Sequence, residues 1–372
     1  MSEKSGEIKT KDFFTDTVIQ EVAQRFDESL ERFFGSYRNN FRAARYPESA
    51  KNAIMILEEL FHRYDKDRLS EKMISFKKRE KFLYVDKNYR DHFLHQFNVF
   101  LLGKYILDND KIQKPKLNEF EWLLCSALHD VGYPVSLANM WLREFGFSPV
   151  SRKNRSLILK NLASLCLAYQ KKREEKWMWE ENVEAYNQPL YKKWEGWIKN
   201  PDRCLDHAPI SAIITIGSIL DSHRSKDKNY MEGRFSKEVC PAALAVAIHH
   251  IRDEKLLGEK VSCRRMPNSF LLMLCDEIQD WGRPLLINSE RRVPRKRQCK
   301  LRDIDCSGGK LVIDLDYPKN EQAIRDKLYN LKELERVLSP DMFEILIKLN
   351  KEEFKLSTLV PRRQTLQGYA FA

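Results

Sequence analysis

Three apolar runs of this chain each stop at a histidine or an aspartate, and that placement constrains the fold more than any other feature. Trp122-Leu123-Leu124-Cys125-Ser126-Ala127-Leu128 ends in His129-Asp130. Ala242-Ala243-Leu244-Ala245-Val246-Ala247-Ile248 ends in His249-His250, and Phe270-Leu271-Leu272-Met273-Leu274-Cys275 ends in Asp276-Glu277. Runs this apolar belong to buried helices, so each brings an imidazole or a carboxylate close to the core. Such a group costs several kcal/mol unless it finds a partner. A single one is readily satisfied by a hydrogen bond. Three helices that each deliver one more naturally share a partner, and a metal ion accepts imidazole lone pairs and neutralises carboxylates at once.

The rest of the chain also reads as helix. Apolar residues recur three and four apart from Lys11 to about Ile106, as in Val18-Ile19, Val22, Phe26, Leu30 and Phe33-Phe34. Helices are expected through Ile54–Phe61, over about Tyr89–Leu107 and over about Glu119–His129, where Gly132 and Pro134 supply the stop. Further ones are expected at His207–Leu220, Pro241–Ile251 and about Ser269–Asp280. Residues 151–205 are charged and rich in Trp and Tyr (Trp177, Trp179, Tyr186, Tyr191, Trp194, Trp197), which reads as a helical insertion. Cys299–Asp305 and Lys310–Tyr317, joined by Ser307-Gly308-Gly309, read as a β-hairpin, with helix resuming over 319–356. The expected fold is mainly α. An N-terminal helical region (1–84) packs on a helical core (85–288), and a basic connection leads into a small C-terminal α+β region (289–372).

With 42% hydrophobic and 32% charged residues the chain is able to bury a core. Its formal charge of +11 favours an anionic partner. The densest basic stretch lies between Ser289 and Arg302, with seven Lys or Arg against one Glu, and offers a contact for nucleic acid. None of the eight cysteines forms a Cys-x-x-Cys pair, which argues against zinc knuckles and disulfides. No secretory signal and no membrane-length apolar run is seen, so a cytoplasmic protein is expected. Neither a Gly-x-x-x-x-Gly-Lys-Ser/Thr phosphate loop nor a Gly-x-Ser-x-Gly elbow occurs.

The order of the loaded residues is the strongest functional signal. It runs His95 within Arg90-Asp91-His92-Phe93-Leu94-His95, then His129-Asp130 followed by Val131-Gly132-Tyr133-Pro134, then His207, the His249-His250 pair and Asp276. Across residues 85–285 this set resembles the HD superfamily of metal-dependent phosphohydrolases. The resemblance implies an HD-type helical bundle whose metals are held by His95, His129, Asp130, His207, one of His249 and His250, and Asp276. The additional histidines imply two divalent ions, manganese or iron before magnesium, zinc, nickel or cobalt. Asp130 would bridge them, and an activated water would attack phosphorus.

The resemblance favours His95 over His92 as first ligand, since the family's first His is usually followed four residues later by an apolar residue, here Val99. His92, Arg90 and Arg283 are then substrate-side candidates, and Asp91 is near enough in sequence to reach the site. The chain departs from signalling-nucleotide phosphodiesterases of the superfamily, having Tyr133-Pro134 where many carry Lys. It also lacks the fuller deoxynucleotide triphosphohydrolase signature. The expected activity is hydrolysis of a phosphoester or phosphoanhydride in a nucleotide or deoxynucleotide, with cyclic-nucleotide or cyclic-oligonucleotide phosphodiesterase as the alternative. A nucleotide-sensing or nucleic-acid-binding module with a silent site is the reading from another class.

Overall fold

The most buried helix organises the molecule. In the computed structural model every residue from Phe93 to Ile106 of the helix His92–Asp108 is buried, so this helix is surrounded on all sides. The structure describes residues 12–64, 67–80, 92–111, 117–136, 207–223, 239–252, 257, 260–282, 286–287, 291–292, 299–317, 321–350 and 352–356. The expected insertion at 151–205, together with Arg90, Asp91 and Arg283, lies outside them, as do residues 293–298 of the basic stretch.

The helices, in chain order, are α1 (Ile19–Ala23, entered through a π-helical turn at Phe14–Val18), α2 (Glu28–Arg42), α3 (Tyr46–His62), α4 (Asp67–Glu80) and α5 (His92–Asp108). They continue with α6 (Glu119–Leu128), α7 (His207–His223), α8 (Cys240–Ile248), α9 (Pro267–Ile278) and α10 (Glu321–Val337). Their starts follow from local chemistry. Asp27 accepts the Leu30 N–H at the head of α2, and Asn118 accepts the Phe120 N–H at the head of α6. On α2, Leu30, Phe34, Tyr37 and Phe41 form the buried stripe. α5 has a cap from outside itself: buried Glu80, the last residue of α4, accepts the N–H groups of His92 (2.8 Å) and Phe93 (3.0 Å).

α5 packs against α6 and α9, α8 packs against α6, α7 and α9, and α2 and α3 pair beside them. Tyr37 ties the N-terminal region to α5 by donating to Asn98 Oδ1 at 2.6 Å. Trp122 of α6 lies over Gly103 of α5, where any Cβ would collide with the indole ring at 2.0 Å. Its Nε1 donates to the Phe100 carbonyl at 3.0 Å. Among the described residues no helix is long and apolar enough to cross a membrane.

The C-terminal region is a mixed four-stranded sheet of order β4-β5-β7-β8, formed by β4 (Lys300–Asp305), β5 (Lys310–Asp316), β7 (Glu344–Leu349) and β8 (Glu352–Leu356). Short strands supply two further pairs: β1 (Val261–Ser262) with β6 (Leu338–Ser339), and β2 (Leu286–Ile287) with β3 (Arg291–Arg292). The expected hairpin is present as β4–β5, with a register shift between Leu301 and Asp303. Gly308 and Gly309 take positive φ at its turn. The expectation of helix throughout 319–356 is corrected, because α10 stops at Val337 and the chain returns as β7 parallel to β5. The reason is periodicity. Glu344–Leu349 alternates half-buried and buried residues, so Ile345, Ile347 and Leu349 enter the core on one face.

The helices that carry the candidate histidines and aspartates are also shorter or longer than expected. α8 ends at Ile248 and α9 at Ile278, whereas α7 continues to His223. After His129-Asp130 the chain makes another short helical turn at 133–136, so Gly132 and Pro134 do not end the helical path outright.

Candidate metal centre

α6 and α8 solve the same problem in the same way. Each ends one residue before a histidine, and the last carbonyls of a helix lack intrahelical donors. His129 turns its ring back so that Nδ1 bonds the Ser126 carbonyl at 2.8 Å, and His249 does so with the Val246 carbonyl at 2.7 Å. A carbonyl only accepts, so Nδ1 carries the proton in both rings and the Nε2 lone pair points inward.

His95 reaches the same state by another route. Gln279 donates its amide Nε2 to the Trp281 carbonyl, which leaves Oε1 to accept from His95 Nδ1. His95 Nε2 then faces Asp276 Oδ1 at 2.7 Å.

These rings surround two carboxylates. Asp276 Oδ1 lies 2.7 Å from His95 Nε2 and 3.5 Å from His129 Nε2. Asp130 spreads its oxygens between two sets of histidines: Oδ2 is 2.6 Å from His92 Nδ1 and 3.6 Å from His129 Nε2. Oδ1 is 3.2 Å from His207 Nε2 and 3.9 Å from His249 Nε2. His207 and His249 bring their Nε2 atoms within 3.3 Å of each other. Donor atoms bound to one ion at about 2.0–2.2 Å stand roughly 3.0–3.5 Å apart, so the spacing suits shared cations.

The donor chemistry also fits. His129 Nε2 is fully buried and makes no hydrogen bond, although Asp276 and Asp130 oxygens stand 3.5 and 3.6 Å from it. Among the described residues, His95, His129 and Asp276 form one group able to hold a metal ion, and His129, Asp130 and His249 form another. Nitrogen and carboxylate donors together suit a divalent transition metal.

Electrostatics agree with a buried cluster short of positive charge. Burial opposes ionisation of Asp130, but His129, His92 and the hydrogen bond from His207 outweigh it and hold its carboxyl well below the usual range. Burial likewise opposes ionisation of Asp276, and the neighbouring His129 and His95 outweigh it and hold its carboxyl well below the usual range. For His129 burial acts downward, yet the neighbouring Asp130 and Asp276 leave its pKa raised. Burial lowers His249 to about 3, which keeps it the neutral imidazole that ligation requires.

Of the sequence-derived candidates, His95, His129, Asp130, His207, His249 and Asp276 come together. His250 does not join them: it is exposed, with its ring centroid 5.0 Å from that of His207. His249 is therefore the central member of the pair. His92 does reach the centre through Asp130, and its ring stacks on Tyr133 at 4.1 Å.

Several supporting residues were not singled out from the sequence. Gln96, with its amide oxygen toward the 130–131 backbone, accepts from Asp130 N–H (3.1 Å) and Val131 N–H (3.2 Å) and donates to the Ala127 carbonyl (2.9 Å). Ser211 Oγ accepts the Gly132 N–H at 2.8 Å. A Cβ on Gly132 would stand 2.6 Å from both His207 O and Ser211 N, so a glycine lets the 129–132 turn rest on the first turn of α7. The available signal was a polar residue inside an otherwise apolar helix, as with Gln96 beside His95. Gln279 follows α9 and carries no comparable signal.

No protein-family model matches the chain, nor does any curated protein or any solved structure.

Proposed function

We propose that this chain is a metal-dependent phosphohydrolase built on an HD-type helical bundle, acting on a nucleotide or deoxynucleotide. The observation that carries the reading is the convergence of three inward-facing imidazole lone pairs, on His95, His129 and His249, upon Asp130 and Asp276 in one buried cluster. Binding of a structural anion has no use for such a set, and a buried core has no use for the unsatisfied Nε2 of His129. The order of these residues along the chain resembles the HD superfamily, and the formal charge of +11 favours an anionic substrate.

His95, His129 and Asp276 would hold one ion, and Asp130, His207 and His249 a second. A divalent ion held there supplies Lewis acidity toward a phosphoryl oxygen and lowers the pKa of its water. Asp130, facing both sets, fixes their spacing. His92 is the partly exposed imidazole beside Asp130, positioned to hold or pass a proton at the substrate side.

A panel of nucleotides, deoxynucleotides and cyclic nucleotides is the direct test, with the full chain assayed in manganese for phosphate or nucleoside release. Turnover that disappears with chelator and returns with manganese is the expected result. Stoichiometric metal with no turnover on any panel member would favour the silent binding module instead.

A further inference from the structure

The end of α9 carries more than Asp276. Its next residue, Glu277, and the following Asp280 enter a buried charged network that reaches into the C-terminal region. Lys327, in the middle of α10 and only 6% exposed, donates to the Glu277 backbone carbonyl and lies 3.0 Å from Glu277 Oε1 and 2.7 Å from Asp280 Oδ2. Tyr317, just beyond β5, donates its hydroxyl to Asp280 Oδ2. On the other side, Arg252 pairs with Glu277 Oε2 at 3.2 Å and donates to the His249 carbonyl at 2.7 Å. Two cations and two carboxylates thus join the C-terminal ends of α8 and α9, the helices that lead to His249 and carry Asp276.

The chemistry at the α9 terminus explains why Lys327 is placed there. The last carbonyls of a helix have no intrahelical donors and sit at the negative end of its dipole, where a cation is favoured. The same helix end continues into Gln279, which fixes the tautomer of His95. Burial works against the charge on Lys327, but Asp280 and Glu277 outweigh it and hold the amine protonated. Without that amine, Glu277 and Asp280 would lose the buried cation that bridges them.

We infer that Lys327 is a positioning residue for the metal centre: by capping α9 and balancing Glu277 and Asp280, it sets where Asp276 and Gln279 stand relative to His95 and His249. The C-terminal α+β region is then part of the machinery that tunes metal affinity, and not a separate module. The inference rests on the metal-binding reading above and adds a residue from outside the ligand helices. Supporting interactions of this kind change metal affinity by roughly 10–100-fold when lost.

Manganese(II) titration of the full chain by calorimetry tests it, read as affinity and not as activity. Lys327→Met should weaken manganese binding about tenfold or more. Lys104→Met is the control, since Lys104 is equally buried and paired (Asp108 at 2.9 Å, Glu119 at 3.2 Å) but lies toward the far end of α5. Its manganese affinity should match that of the wild type. Lys327→Arg, which keeps the charge, should recover part of the loss. Equal weakening in the two Met variants, or none in Lys327→Met, overturns the inference while leaving the metal site standing. A wild-type chain that binds neither manganese nor iron removes the metal reading and this inference with it. Should Lys327→Met not fold, Asp280→Asn removes one partner of the amine at nearly constant volume, and unchanged affinity there overturns the inference equally.

Discussion

The helical core and the C-terminal sheet bury similar apolar side chains but treat polar ones in opposite ways. On β5 and β7 the pleat sends Leu311, Ile313, Leu315, Ile345, Ile347 and Leu349 inward and returns Asp316, Glu344 and Lys348 to the half-exposed face. In the core, α5 is apolar nearly all round, yet His95, Gln96 and Asn98 are fully buried within it. A two-residue period lets a strand place every polar group outside. A helix wrapped on all sides has no outside, so each polar residue it carries is costly unless it finds a partner. His95 and Gln96, buried in α5, therefore belong to the candidate site, whereas the sheet keeps most of its polar residues on the half-exposed face.

The sharpest break of this contrast is an aspartate in each region. Asp130→Ala should lower turnover by at least about a thousandfold and lower bound metal, while far-ultraviolet circular dichroism stays that of a helical protein. Asp314→Ala, on the half-buried face of β5, should leave the rate within about twofold of wild type. Turnover retained in Asp130→Ala would move the active site elsewhere. Comparable loss in Asp314→Ala would erase the distinction between the regions.

Within the core, His207→Ala separates the two proposed ion sites. His207 touches Asp130 and His249 but belongs to neither His95 nor Asp276. We expect a rate loss of about a hundredfold, with about one ion per chain retained by elemental analysis. Full metal content in that variant would mean that one ion accounts for the site.

The smallest effect on the centre should come from the sheet core. Ile347→Ala removes a side chain that is fully buried in β7 and should cost about 2–5 kcal/mol of stability in a denaturant or thermal melt. Manganese affinity of the folded protein should be unchanged, because Ile347 belongs to a strand core and not to the α9 terminus. A parallel fall in affinity would mean that the whole C-terminal region, and not the Lys327 contact alone, controls the ligands.

Most of the helices and the inward delivery of His129, of one of His249 and His250, and of Asp276 were legible in the sequence, because an apolar run followed by a polar doublet is a local pattern and burial acts on it locally. The β4–β5 hairpin was legible for the same reason: alternation and two glycines lie within a short span. The strand at Glu344–Leu349 was misread because its short alternating run was absorbed into the helical pattern ahead of it, and its partner β5 is distant in sequence. Tertiary structure alone decided the rest of the site. It chose His249 over His250, because a helix ending at Ile248 turns one ring back to its own carbonyl and leaves the next in solvent. It also brought in Glu80, Gln279 and Lys327, whose partners lie on other elements. Hydrogen bonds and ion pairs act over a few ångströms of space, whatever the distance along the chain, and linear order records them only where the chain happens to be its own neighbour.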